Sequence, residues 1–135
     1  RPQGLEWRKC EEALTKPLGH IKPVMIARAG GLDQGNIIPN LIDTEQNLPK
    51  GAVLFLAGSA INSVKGSNGH ADAKLGAQAM REALELWRAG QAPTEASDLR
   101  VFVPRLHGVA KARKLTALQI AIEQRYPLAR IASGG

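Results

Sequence analysis

The segment AVLFLAG, residues 52–58, constrains this chain more than any other. It is apolar throughout, the pattern of a strand covered on both faces. A Gly/Ser/Asn-rich loop, SAINSVKGSNGH (59–70), joins it to ADAKLGAQAMREALELWRAG (71–90), the clearest helical period in the sequence. Ala73, Ala77, Met80, Leu84 and Trp87 recur at steps of three and four and form one apolar stripe. Gly76 flanks that stripe, where a missing side chain lets the helix approach a sheet closely, and Gly90 is a good C-terminal stop. A buried strand followed by an amphipathic helix points to an α/β fold.

The rest of the chain extends this unit. GLEWRKCEEALTK (4–16) reads as a short helix with Leu5, Cys10 and Leu14 on one face and Trp7 close by. KPVMIARA (22–29) reads as a strand, GGLDQGN (30–36) as a loop and NIIPNLID (36–43) as a second strand, at an edge or bulge because Pro39 cannot donate to a ladder. LRVFVPR (99–105) reads as a fourth strand and KARKLTALQIAIEQRY (111–126) as a further helix with Leu115, Leu118, Ala121 and Ile122 as its stripe. PLARIA (127–132) adds a possible last short strand. The first three strands are expected to form an antiparallel meander, and the helical connections after them favour parallel additions. The expected product is one α/β domain over 1–135, a mixed sheet with helices packed on it in a ribonuclease-H-like order. Its core is expected to hold Val53, Phe55, Met80, Leu84, Leu118 and Ile122.

Charge distribution carries the functional signal. Residues 1–98 hold eleven basic and eleven acidic groups, whereas residues 99–135 hold seven basic groups and one acid, so the whole net charge of +6 sits in the last 37 residues. Within it, VPRLHGVAKARK (103–114) carries Arg105, Lys111, Arg113, Lys114 and His107 and no acid. A localised basic excess favours nucleic acid or another polyanion, although it can also serve as a solvated face. Aromatic residues are few and fall on apolar stripes or strands, which leaves no platform for stacking single-stranded bases. Binding would then rest on phosphate contacts and shape, as for structured RNA.

Catalytic constellations are weak by comparison. Two-metal hydrolysis needs carboxylates converging from strand ends, and Asp33 and Asp43 lack a third partner. His70 and Asp72 could pair, but Asp72 more simply serves the first turn of a helix. His20, His70, His107 and Cys10 show no metal-ligand spacing, so no metal or cofactor is expected. The lone cysteine excludes an internal disulfide. Ser59 has no histidine and acid at readable positions, and the 59–70 loop lacks the Gly-Lys-Ser/Thr ending of a nucleotide phosphate loop. That loop can equally receive RNA phosphates through Lys65 and backbone amides. No run of 18 apolar residues occurs, so no membrane partner is expected. The chain opens on Arg1 without an initiator methionine and reads as a processed or trimmed product.

The order of segments resembles the large-subunit ribosomal protein L-eighteen family, which binds 5S rRNA in the central protuberance. DAKLGAQAMREALELWRAG is similar to its central helix; PVMIAR, NIIPNLID and AVLFLAGS are similar to its three opening strands, with Arg28 at the place of a family arginine. VFVPRLHG resembles the strand and basic loop, where His107 and Gly108 keep two residues of a His-Gly-Arg sequence, and LTALQIAIEQ resembles the closing helix. The small-subunit S-eleven family is similar through GNIIPNLID, AGSAINSVKGS and GAQA. Both resemblances imply a structural, non-enzymatic protein whose partners are ribosomal RNA and neighbouring ribosomal proteins, without a small-molecule substrate. RNA contact is expected at Arg28, Lys65, Ser67, Arg105, His107, Lys111, Arg113 and Lys114. Departures such as the GGLDQG loop imply a divergent organellar member, in the mitochondrial matrix, or a cytoplasmic one if the source is bacterial. The alternative from another class is an α/β phosphate-ligand enzyme or hydrolase, with polar groups converging beside Ser59 and His70.

Overall fold

The computed structural model describes residues 5–16, 19, 25–94 and 98–127. Among these residues six helices and a two-stranded sheet follow in the order α1 (Leu5–Thr15), β1 (Ile26–Ala29), α2 (Ile37–Asn47), β2 (Val53–Leu56), α3 (Gly58–Ser63), α4 (Ala73–Arg88), α5 (Leu99–Ala112) and α6 (Thr116–Arg125). β1 and β2 pair in parallel, Ile26 opposite Val53 and Ala29 opposite Leu56, with α2 in the crossover. The α/β class therefore holds, but the antiparallel meander does not: its middle segment is α2 and the segment read as the fourth strand is α5. The proposed last strand lies almost wholly outside the described residues, as does the start of the 22–29 segment.

Both misread segments contain a proline among β-branched residues. In α2, Asn36 occupies the N-cap position, without a side-chain capping bond, so Pro39 falls in the first turn, where a missing N–H breaks no intrahelical bond. Behind it, Ile37, Ile38, Leu41 and Ile42 follow helical spacing toward the core. In α5, Phe102, Val103, Leu106, His107 and Ala110 are the buried positions, again at helical steps. Asp98 starts α5 by accepting the Arg100 N–H at 2.9 Å. Pro104 lies well inside α5, so the Arg100 carbonyl loses its i+4 donor. An interior proline costs a helix about 3 kcal/mol, and part of that returns through the stiffer unfolded chain. Pro104→Ala should accordingly raise the unfolding free energy by about 1–2 kcal/mol in urea titration.

The core gathers around α4. Met80, Ala83 and Leu86 pack with Ile37 and Ile38 of α2, Phe102 and Leu106 of α5, and Leu118 and Ile122 of α6. The apolar stripe of α4 is rotated from the expected one: Gly76, Ala79, Met80, Ala83 and Leu86 are buried, while Ala73 and Ala77 are exposed. Phe55 and Leu84 are only partly buried against the core, and Val53 is half-buried beside Phe55 and Trp87 in a groove of about 510 Å³. Nor is β2 covered on both faces. Leu54 and Leu56 are 52% and 49% exposed, and Met25 next to β1 is 63% exposed. Among the described side chains of α1, Cys10 and Leu14 face outward while Glu11 and Thr15 are buried. No helix among the described residues is long and apolar enough to cross a membrane.

Candidate nucleic-acid interface

The basic segment is a helix end, not a strand end. α5 stops at Arg113 in a Schellman arrangement: the Leu115 N–H bonds the Ala110 carbonyl at 2.8 Å and the Lys114 N–H bonds the Lys111 carbonyl at 3.2 Å. Lys114 takes the left-handed conformation at φ 58, a position usually given to glycine. Leu115 then turns inward and packs against the core, which fixes the turn while Lys111, Arg113 and Lys114 remain exposed. Among the described residues none of these three forms an ion pair. Their positive charges sit beside the last carbonyls of α5, the negative end of the helix dipole, which favours them electrostatically. Arg105 is exposed about two turns upstream on the same helix.

Two expected contacts are spent inside the fold. His107 is 1% exposed, and its Nε2 lies 3.1 Å from Glu123 Oε1, tying α5 to α6. Arg28 is 6% exposed on the inward face of β1. Its Nε and Nη2 donate to the two Glu11 carboxylate oxygens at 2.9 and 3.0 Å, and Nη2 also donates to Asp43 Oδ2 at 2.8 Å. Nη1 reaches Asn40 Oδ1 at 3.4 Å, and Arg8 joins through Asp43 Oδ1 at 2.7 Å. Burial works against the Arg28 charge, but the Glu11 and Asp43 hydrogen bonds outweigh it and hold its pKa above the ordinary guanidinium value. Arg28 is thus a clamp joining α1, β1 and α2, and neither it nor His107 can offer a donor to RNA at the surface.

Lys65 and Ser67 are exposed on a small hairpin-like loop closed by Gly66 N–H to His70 carbonyl at 2.9 Å and Asp72 N–H to Val64 carbonyl at 2.7 Å. The Gln124 side chain grips the Lys65 backbone from both sides, accepting its N–H at 2.9 Å and donating to its carbonyl at 2.8 Å. Lys65 therefore sits at the C-terminal end of α6 and the Lys111–Lys114 turn at its N-terminal end. At 1.5 Å rise per residue the two lie roughly 12 Å apart along the helix axis. Glu123, already engaged by His107, is the one acidic side chain of α6.

A second feature was not legible as a site in the sequence. Asp33, weighed in the sequence only as a carboxylate without a third metal partner, is buried and accepts N–H groups from Gly35 at 2.8 Å and Asn36 at 3.0 Å. The Tyr126 hydroxyl donates to its two oxygens at 2.9 and 2.8 Å, and Arg125 Nε lies 3.5 Å from Oδ2. Burial first, then the neighbouring Asp33 carboxylate, pushes the Tyr126 pKa well above the ordinary phenol range. The Asp-x-Gly-Asn pattern is a local turn signal. Nothing in sequence announces a partner 93 residues away. Beside this network lies a cleft of about 400 Å³, bounded by Asp33 and Gln34, the end of α3, Lys65 and α6. Ser59 and His70 are exposed and belong to neither this cleft nor the groove beside β2. Among the described residues no three His, Cys, Asp or Glu side chains gather as a metal site would require. No family model, curated protein or solved structure matches the chain.

Proposed function

We propose that this chain binds structured RNA through phosphate contacts from Arg105, Lys111, Arg113 and Lys114, with Lys65 and Ser67 as a second contact at the far end of α6. One observation carries the reading: Lys111, Arg113 and Lys114 are exposed together on a turn held by its own hydrogen bonds and by the packing of partly buried Leu115. A fixed cationic turn loses little conformational entropy when it meets a phosphate. In its finer form the proposal places the chain in a ribosome, most simply the large subunit of an organelle, beside other ribosomal proteins. NIIPNLID and VFVPR, which carried part of the family resemblance, are helical, so the RNA reading rests on charge placement and not on the fold. A ribonuclease-H-like sheet would need strands beyond the two described.

The test is a salt titration of RNA affinity. Changing Arg105, Lys111, Arg113 and Lys114 together to Gln should weaken binding to a ribosomal RNA fragment. It should also lower the slope of log affinity against log salt by about three, since each phosphate contact releases about 0.7–0.9 counterion. A control changing Lys9, Lys16, Lys50 and Lys74, all exposed, removes the same charge elsewhere. Equal loss in the control would reduce the effect to bulk charge, and an unchanged slope in the first variant would leave the turn a solubilising helix end. Co-sedimentation of the intact chain with large-subunit particles tests the ribosomal form.

A further inference from the structure

We propose that the cleft between the Asp33–Gln34 segment, α3 and α6 is a binding site for a phosphomonoester the size of a nucleoside monophosphate. Its volume of about 400 Å³ falls within the range of small-ligand sites. Two cations line it, Lys65 and Arg125, and both are held from behind. Gln124 fixes the Lys65 backbone through its N–H and carbonyl, so the lysine stem leaves from a set point. Asp33 lies 3.5 Å from the Arg125 Nε, which orients the guanidinium and leaves the Nη edge, the fork that matches phosphate. Asp33 does not oppose an incoming anion as a bare carboxylate would. Gly35 N–H, Asn36 N–H and the Tyr126 hydroxyl already donate to it, besides the Arg125 contact.

The rest of the cleft contributes less. Ala60, Val64 and Ala121 line the floor but are themselves buried, so they add only a little apolar contact, and Ser63 adds an exposed hydroxyl. Gln34, itself buried, stiffens the floor. Its Nε2 donates to the Ala60 carbonyl at 3.3 Å and to the Gly76 carbonyl at 3.1 Å, tying α3 to α4. Two cations at one cleft, Arg125 oriented by Asp33 and Lys65 anchored at its backbone, favour a dianionic phosphate over a single carboxylate. The site lies at the other end of α6 from the basic turn and shares only Lys65 with the RNA reading.

The same chemistry arises from a free mononucleotide or from the terminal phosphate of an RNA strand, and the experiment separates them. The intact chain is titrated with AMP by calorimetry, and with 5′-phosphorylated and 5′-hydroxyl forms of one oligoribonucleotide. The expected result is saturable AMP binding that weakens about tenfold in Lys65→Gln and in Arg125→Gln, the loss of one charge-assisted contact. Binding should be unchanged in Arg81→Gln, an exposed residue of α4, and in the quadruple 105/111/113/114 variant, so this proposal can stand or fall apart from the RNA one. A strand-end site is indicated if the phosphorylated oligonucleotide binds at least tenfold tighter than its hydroxyl twin and AMP displaces it. A free-nucleotide site is indicated if the two oligonucleotides bind alike while AMP still saturates. Absence of saturable binding by AMP and by the phosphorylated strand overturns the proposal, as does equal weakening by Arg81→Gln.

Discussion

Arg28→Met should destabilise the protein by about 3–5 kcal/mol, read as a shifted urea midpoint. Removing one partner of a buried ion pair strips the other of its charge-assisted hydrogen bonds to that partner. That partner is Glu11, whose side chain is 7% exposed and whose two oxygens both accept from Arg28. Asp43 is affected less, because it is partly solvated and keeps Arg8 at 2.7 Å. Replacing both members of the pair, Arg28→Met with Glu11→Leu, should recover most of the loss, since two apolar groups bury without a desolvation penalty. The loss should first appear as exchange of the α1 amides, because the clamp is a main polar tie between α1 and the sheet. If Arg28 were instead an RNA donor, the single variant would unfold at the wild-type midpoint and bind RNA weakly.

Gly76→Ala should be comparably severe, with a loss of at least about 3 kcal/mol. A Cβ built there lies 1.9 Å from the Ile61 carbonyl oxygen and 2.7 Å from its carbon. These are backbone atoms of α3 and cannot swing aside, so α3 and α4 must separate. Separation also strains the Gln34 bridge between the Ala60 and Gly76 carbonyls. Alanine gains about 1 kcal/mol over glycine in a helix, far less than this clash. Gly108→Ala is the matched control. It too lies in a helix, α5, but a Cβ there meets nothing within 4 Å. That substitution should stabilise the protein by about 0.5–1 kcal/mol. Thermal melts of the two variants moving in the same direction would contradict the close α3–α4 approach.

The sequence by itself determined the elements whose local signals agree. For α4, apolar period, the Asp72 cap accepting the Leu75 N–H at 3.1 Å and the Gly90 stop coincide, and the helix forms where they indicate. α1, β1 and β2 were legible as elements too, but the helix read over 111–126 begins only at Thr116, its first residues forming the end of α5 and the turn after it. The cationic turn could be read as a charge cluster, and Gly76 as a point of close approach. Tertiary structure decided the rest. Ile, Val and Phe favour strands only while they pack on a pleated surface, so NIIPNLID and LRVFVPR could go either way. Both became helices because that spacing delivers Ile37, Ile38, Phe102 and Leu106 to the face of α4. Gly76 meets the backbone of α3 and not a sheet, a choice of neighbour that no local pattern encodes. Charge was the least legible property. An arginine reads alike whether it meets water, phosphate or a carboxylate, and Arg28 became a buried clamp only because folding brought Glu11 and Asp43, 17 and 15 residues away, within 3 Å of it.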